Sequence, residues 1–164
     1  LPIFFGDMAG GMCPGHEGIV DYVFRREKID EEDLVGKTLF CSWLGNGNNL
    51  VDRFSTVYFT IAALADDHIK AFRGEWNTYT DRYQITGKFT ASYRDITNID
   101  SSSINVLRLT VGNQLIGLDL PGASGYLCRY NDPMRPYSYN DLRTTETEEF
   151  IHGLEKLVRS YKNR

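Results

Sequence analysis

The chain has 164 residues, 41% of them hydrophobic and 24% charged, and a formal net charge of −4 at pH 7. That length allows one core burying most of the apolar surface that an unfolded chain exposes, and the composition is that of a globular protein. An acidic balance excludes a dedicated nucleic-acid binder, because neutralising phosphates needs clustered Lys and Arg, so no nucleic-acid partner is expected.

At the N-terminus, Leu1-Pro2-Ile3-Phe4-Phe5 is apolar until Gly6 and Asp7 interrupt it. A membrane span needs roughly 18 apolar residues, and no run in the chain approaches that. The chain starts at Leu1 rather than Met, so its first residues read as a truncated or processed end. Residues 1–15, glycine-rich around GDMAGGMCPG, are expected to form a flexible leader before a single domain over 16–164. Ile19, Val20, Val23 and Phe24 recur at helical spacing, which predicts a short amphipathic helix over His16–Lys28. Acidic Glu31, Glu32 and Asp33 break that pattern.

Lys37–Leu44 (KTLFCSWL) is the first expected strand, ended by the turn cluster Gly45-Asn46-Gly47-Asn48-Asn49. Cys41 and Trp43 on it are expected in the core. Thr56–Leu64 (TVYFTIAAL) is almost continuously apolar and pairs, through the tight turn Ala65-Asp66-Asp67, with a strand over His68–Phe72. Beyond Gly74 the rhythm loosens. Tyr79, Tyr83 and Ile85 suggest one β segment and Phe89–Tyr93 another, with Trp76 on a long loop before them. Ile104–Val111 (INVLRLTV) and Gln114–Leu120 (QLIGLDL) then flank Gly112-Asn113, a good two-residue hairpin connection.

Residues 121–143 hold Pro121, Pro133 and Pro136 without a sustained period and read as an irregular insertion. The last segment carries the best helix signal in the chain. Thr145 and Glu148 fit a capping box, and Phe150, Ile151, Leu154, Leu157, Val158 and Tyr161 make one apolar stripe. Arg159, Lys162 and Arg164 sit at the negative end of its dipole. Each stripe residue gains roughly 1.5–3 kcal/mol on burial, so this helix is expected to cover an open face of the β-structure.

The order is therefore mainly β (α+β): a short helix, six or seven antiparallel strands, an insertion and a capped helix. The stretches TVYFTIAALADDHIKAF (56–72), YRDITNID (93–100), LRLTVGNQLIGLDL (107–120) and TETEEFIHGLEKLV (145–158) resemble the bacterial pleckstrin-homology (PH)-like domain family. The likeness extends over residues 37–162. It implies an antiparallel β-barrel or sandwich capped by a C-terminal helix. It also implies a non-enzymatic adaptor that binds phosphoinositides, peptides or proteins, or that self-associates. The 74–89 segment and the 121–143 insertion depart from the family pattern.

Inositide binding needs several phosphates neutralised together, and the 45–55 loop offers only Arg53, with Lys37 distant. Cys13-Pro14-Gly15-His16 has zinc-ligand spacing for two ligands, but a structural site needs four, and His68 and His152 read as turn and helix-surface residues. No metal or other cofactor is expected. The three cysteines, Cys13, Cys41 and Cys128, are too few for a secreted disulfide scaffold, which points to a reducing, cytoplasmic setting. No nucleophile elbow, phosphate-cradling loop or thiol signature appears, so no catalytic residue is assigned.

The expected binding residues are Trp76 and, in the insertion, Tyr126, Arg129, Tyr130, Arg135, Tyr137 and Tyr139. Tyr and Arg dominate interface hot spots. These side chains either dock a protein partner or a second copy, or pin the long loop onto the β-structure. Trp76 is likewise an exposed anchor or a loop-tethering ring. The competing expectation is a lipid or small-molecule site at an open end of the β-structure.

Overall fold

The computed structural model describes residues 16–44, 56–77, 79–104, 106–120 and 145–163; the leader, the 45–49 turn cluster and the 121–143 insertion lie outside them. The elements are α1 (His16–Arg26), β1 (Leu39–Leu44), β2 (Thr56–Leu64), β3 (His68–Asn77), β4 (Arg82–Ser92), β5 (Ile96–Asp100), β6 (Val106–Val111), β7 (Gln114–Asp119) and α2 (Thr145–Lys162). They form two antiparallel meanders: sheet 1, in the order β1-β2-β3-β4, and sheet 2, in the order β5-β6-β7. Among the described residues no ladder joins the sheets, so of the expected barrel or sandwich the structure gives two open antiparallel sheets sharing a core, not a closed barrel. The reason is local. A 3-10 turn at Tyr93–Asp95 redirects the chain after β4, so β5 pairs with β6 and not with β4.

α1 starts where its spacing predicts but stops two residues early. The Ile29 N–H donates to Phe24 O at 2.8 Å and the Lys28 N–H to Arg25 O at 3.4 Å, the two bonds of a Schellman ending. Lys28 takes the left-handed position at φ 56°, where glycine is the unstrained residue. Lys28→Gly is therefore expected to raise stability by about 0.5–1 kcal/mol, read as a higher midpoint in urea.

Ile19, Val23 and Phe24 of α1 pack on Val57, Phe59, Ile61 and Ala63 of β2 and Phe72 of β3. These β2 positions alternate, so they share one face of sheet 1, here the outer one. Ala62 and Leu64 of β2 face the other way, into a core completed by Leu107 and Leu109 of β6, Leu118 of β7 and α2. β2 is thus covered on both sides. A strand so placed reads as an unbroken apolar run, which is what TVYFTIAAL is.

The loop expected around Trp76 is strand. β3 runs on to Asn77, and Arg82–Ser92 returns beside it as one long strand, with Trp76 opposite Tyr83. Tyr83 and Ile85 pack on the α1 side, whereas Phe89 and Ala91 belong to the inner core. All four are odd-numbered, so strict alternation would put them on one face. A bulge between the Arg73–Gly87 and Gly74–Ile85 pairs leaves Thr86 extra and turns the later residues over.

α2 covers the inner core as its stripe predicts. Phe150, Ile151, Leu154 and Val158 are buried there, with Leu157 and Tyr161 half-buried beside them. The Tyr161 ring meets the fully buried Tyr93 edge-on at 5.6 Å and 60°. Thr145 opens the helix, but its side chain lies outside the described residues, as does that of Trp43.

Candidate groove between the two sheets

Of the expected binding residues, only Trp76 falls within the described residues; Tyr126, Arg129, Tyr130, Arg135, Tyr137 and Tyr139 lie outside them. Trp76 sits in β3 rather than on a loop. Its ring stacks on Tyr83 at 5.7 Å and 9°, and Tyr83 stacks in turn on Tyr22 of α1 at 4.4 Å and 17°. The Trp76 indole N–H donates to Asp81 Oδ1 at 3.0 Å, across the hairpin end. The three rings fasten α1 to the β3–β4 hairpin.

Lys37 forms an ion pair with Glu149 at 3.7 Å, and Arg53 lies outside the described residues. His68 pairs with Asp67, and the bond holds the Asp67 carboxyl below its ordinary value. His152 is exposed between Glu148 and Glu155 on α2. Among the described residues no group of three or more His, Cys, Asp and Glu gathers into a cluster that could hold a metal ion, and no helix is long and apolar enough to cross a membrane.

A groove of about 270 Å³ lies between the sheets. Its floor comes from Ala71, Phe72 and Arg73 of β3 with Gly87, Lys88 and Phe89 of β4, and its wall from Leu115–Leu118 of β7. No residue of β6 lines it, so the groove lies on the side of β7 away from its hydrogen-bonded neighbour. Runs of consecutive residues line both floor and wall. Side chains alternate along a strand, so backbone as well as side chain faces the space. Leu115, at the start of β7, is 64% exposed.

The inner end of β7 is clamped. Asp119 Oδ2 accepts from the Thr60 hydroxyl at 2.8 Å and from the Arg73 guanidinium at 3.0 Å. Thr60 and Arg73 face each other across β2 and β3, so one carboxylate ties β7 to two strands of sheet 1. This clamp holds one end of β7 against sheet 1, and the groove lies beside the rest of the strand.

Cys41 lies opposite Thr60 and is buried, as expected for a core residue. Burial, and after it the Asp119 carboxylate, pushes its thiol well above the ordinary 9.0, which makes it a packing group rather than a nucleophile. Burial and nearby Asp67 likewise push the Tyr93 phenol above its ordinary 10.0. Both pKa values are raised by folding, so the native state keeps protons that the unfolded chain releases. The stability they provide is complete below about pH 9 and is lost as pH climbs past it. We expect the unfolding free energy read from urea melts to fall from about pH 9 upward, by up to about 1.4 kcal/mol per pH unit for each group. Cys41→Ala should delay the onset to about pH 10, where tyrosine begins to ionise. An onset unchanged in that variant would assign the alkaline loss elsewhere.

Arg73, Lys88 and Leu115 went unnoticed in the sequence because each fits an ordinary strand. The available signal was Gly87 and Gly117, glycines inside strands, which mark open space or close backbone approach. A Cβ at Gly87 would meet nothing nearer than Arg73 Cβ at 3.8 Å, whereas one at Gly117 would press on Val106 at 3.1 Å. No protein family, curated protein or solved structure matches the chain.

Proposed function

We propose that the chain is a non-enzymatic, PH-like interaction module in which the free edge of β7 takes up an extended segment of a protein partner. The PH-like reading rests on the order of four antiparallel strands, then three, then a closing helix. The observation that carries the docking is the groove on the side of β7 that is unpaired among the described residues: the three-stranded sheet packs against a four-stranded one, with room beside β7 for one strand more. A strand added there would pair its backbone with β7 and lay alternate side chains on the β3–β4 floor, the usual logic of strand addition. The wall runs for four residues of β7, at about 3.3 Å each, so the segment read would be about four residues long. Carriers of small apolar ligands enclose pockets of roughly 300–1,000 Å³. A groove of about 270 Å³, open along one side, suits a strand better. The Tyr- and Arg-rich 121–143 run follows almost directly on β7, and in this reading adds contacts to the same partner.

An octapeptide alternating valine and threonine, with blocked ends, tests the docking by amide NMR. Shifts centred on Leu115–Leu118 and Gly87–Phe89, absent in a folded Leu115→Arg variant, are the expected result. Shifts centred elsewhere, or none at millimolar peptide, would remove this reading.

A further inference from the structure

The strand-docking reading leaves the partner's chemistry open, and the groove floor narrows it by shape rather than by charge. Of the two cations among the lining residues, Lys88 stands opposite Phe72 on the α1 side of sheet 1 and pairs with Glu27 at 2.6 Å. The other, Arg73, is paired with Asp119 of β7 at 3.0 Å. On the inner face the floor consists of two cross-strand pairs, Ala71 with Phe89 and Arg73 with Gly87. Gly87 leaves a gap in it, since a Cβ there would meet nothing nearer than Arg73 Cβ at 3.8 Å. Neither backbone conformation nor crowding calls for glycine at this position. Its φ is not positive, so the bulge at Thr86 does not require it either. A glycine inside a strand without such a reason marks a place where another chain or ligand comes close.

We infer, on the strength of the strand-docking reading, that the segment taken up by β7 carries one aromatic side chain, which seats over Gly87. The Arg73 stem flanks that seat across the ladder, and Phe89 lies two residues along on the same face. A ring placed there gains an aromatic neighbour in Phe89 and a cation in Arg73, whose guanidinium is held by Asp119 but whose side chain is still 53% exposed. A carboxylate or an ammonium finds no unpaired opposite charge among the lining residues and loses hydration on entering the groove.

The blocked octapeptide alternating valine and threonine is titrated against the full chain beside three relatives, in which one central valine is replaced by phenylalanine, glutamate or lysine. The phenylalanine peptide should bind about tenfold tighter than its parent, and its ring current should move the Gly87 Hα signals upfield. The glutamate and lysine peptides should bind no tighter than the parent. Gly87→Val fills the gap from the floor, so it should cancel the phenylalanine advantage while the parent peptide keeps its affinity; Gly87→Ala should cancel part of it. Equal binding of the phenylalanine and parent peptides at the β7 edge would overturn the aromatic anchor and leave strand docking standing. So would an advantage that survives in both Gly87 variants. Failure of all four peptides to bind there would overturn both readings. Light scattering completes the test: a dimer that Leu115→Arg splits would make a second copy the occupant and overturn the inference.

Discussion

Replacing Gly74 with alanine is expected to destabilise the fold by about 3 kcal/mol or more, lowering the thermal midpoint by about 6–12 °C. The cause is contact and not backbone conformation. A Cβ at Gly74 would stand 2.4 Å from the carbonyl oxygen of Gln84 and 2.6 Å from Cζ of Phe59. Neither neighbour has freedom to yield. Gln84 O belongs to the β4 backbone just before the bulge, and the Phe59 ring is wholly buried between α1 and sheet 1. Relief would require the β3–β4 ladder to open or α1 to lift. Gly87, across the bulge in the same hairpin, provides the control. With nothing nearer than 3.8 Å, Gly87→Ala is expected to be neutral or to stabilise by about 0.4–1 kcal/mol through the unfolded chain. Thermal melts of the two variants side by side decide the matter; equal losses would show that glycine at 74 is not there for space.

Those two glycines also show where the sequence was legible and where it was not. β2 and α2 were plain, since one is an unbroken apolar run and the other a clean stripe. The long hairpin was obscured by Gly74 and by the polar residues Glu75, Asn77, Thr78, Thr80 and Asp81, which together read as a loop. Along β4, half-buried residues do alternate with exposed ones from Arg82 to Thr90. Yet a bulge divides Tyr83 and Ile85 from Phe89 and Ala91, and a face change of that kind has no one-residue signature. The role of α1 was hidden for a related reason. A strand run apolar at every position announces that both faces are covered, but not by what. As for the groove, it depends on how β7 sits against sheet 1, a tertiary fact that the local pattern of QLIGLDL does not contain.

Phe150→Ala is the second large effect expected, at about 3–5 kcal/mol, because the ring is fully buried where α2 meets the inner core. Leu157, on the same helix but half-buried, should cost less when truncated, and Lys37→Ala, which removes an exposed ion pair with Glu149, should stay within about 0.5 kcal/mol. That ranking separates a lid held by apolar burial from one held by surface charge, and urea melts of the three variants measure it. The location of the loss is informative as well. Phe150 shares its cluster with Leu107, Leu109, Tyr93 and Ile96, so loosening α2 should first speed amide exchange in β5, β6 and the Tyr93–Asp95 turn. No residue of α2 lines the groove beside β7. The milder Phe150→Leu should therefore lower stability while leaving peptide affinity at the β7 edge unchanged, provided the chain stays folded. If affinity fell in step with stability, the helix would be part of the docking surface rather than the cover that keeps the two sheets together.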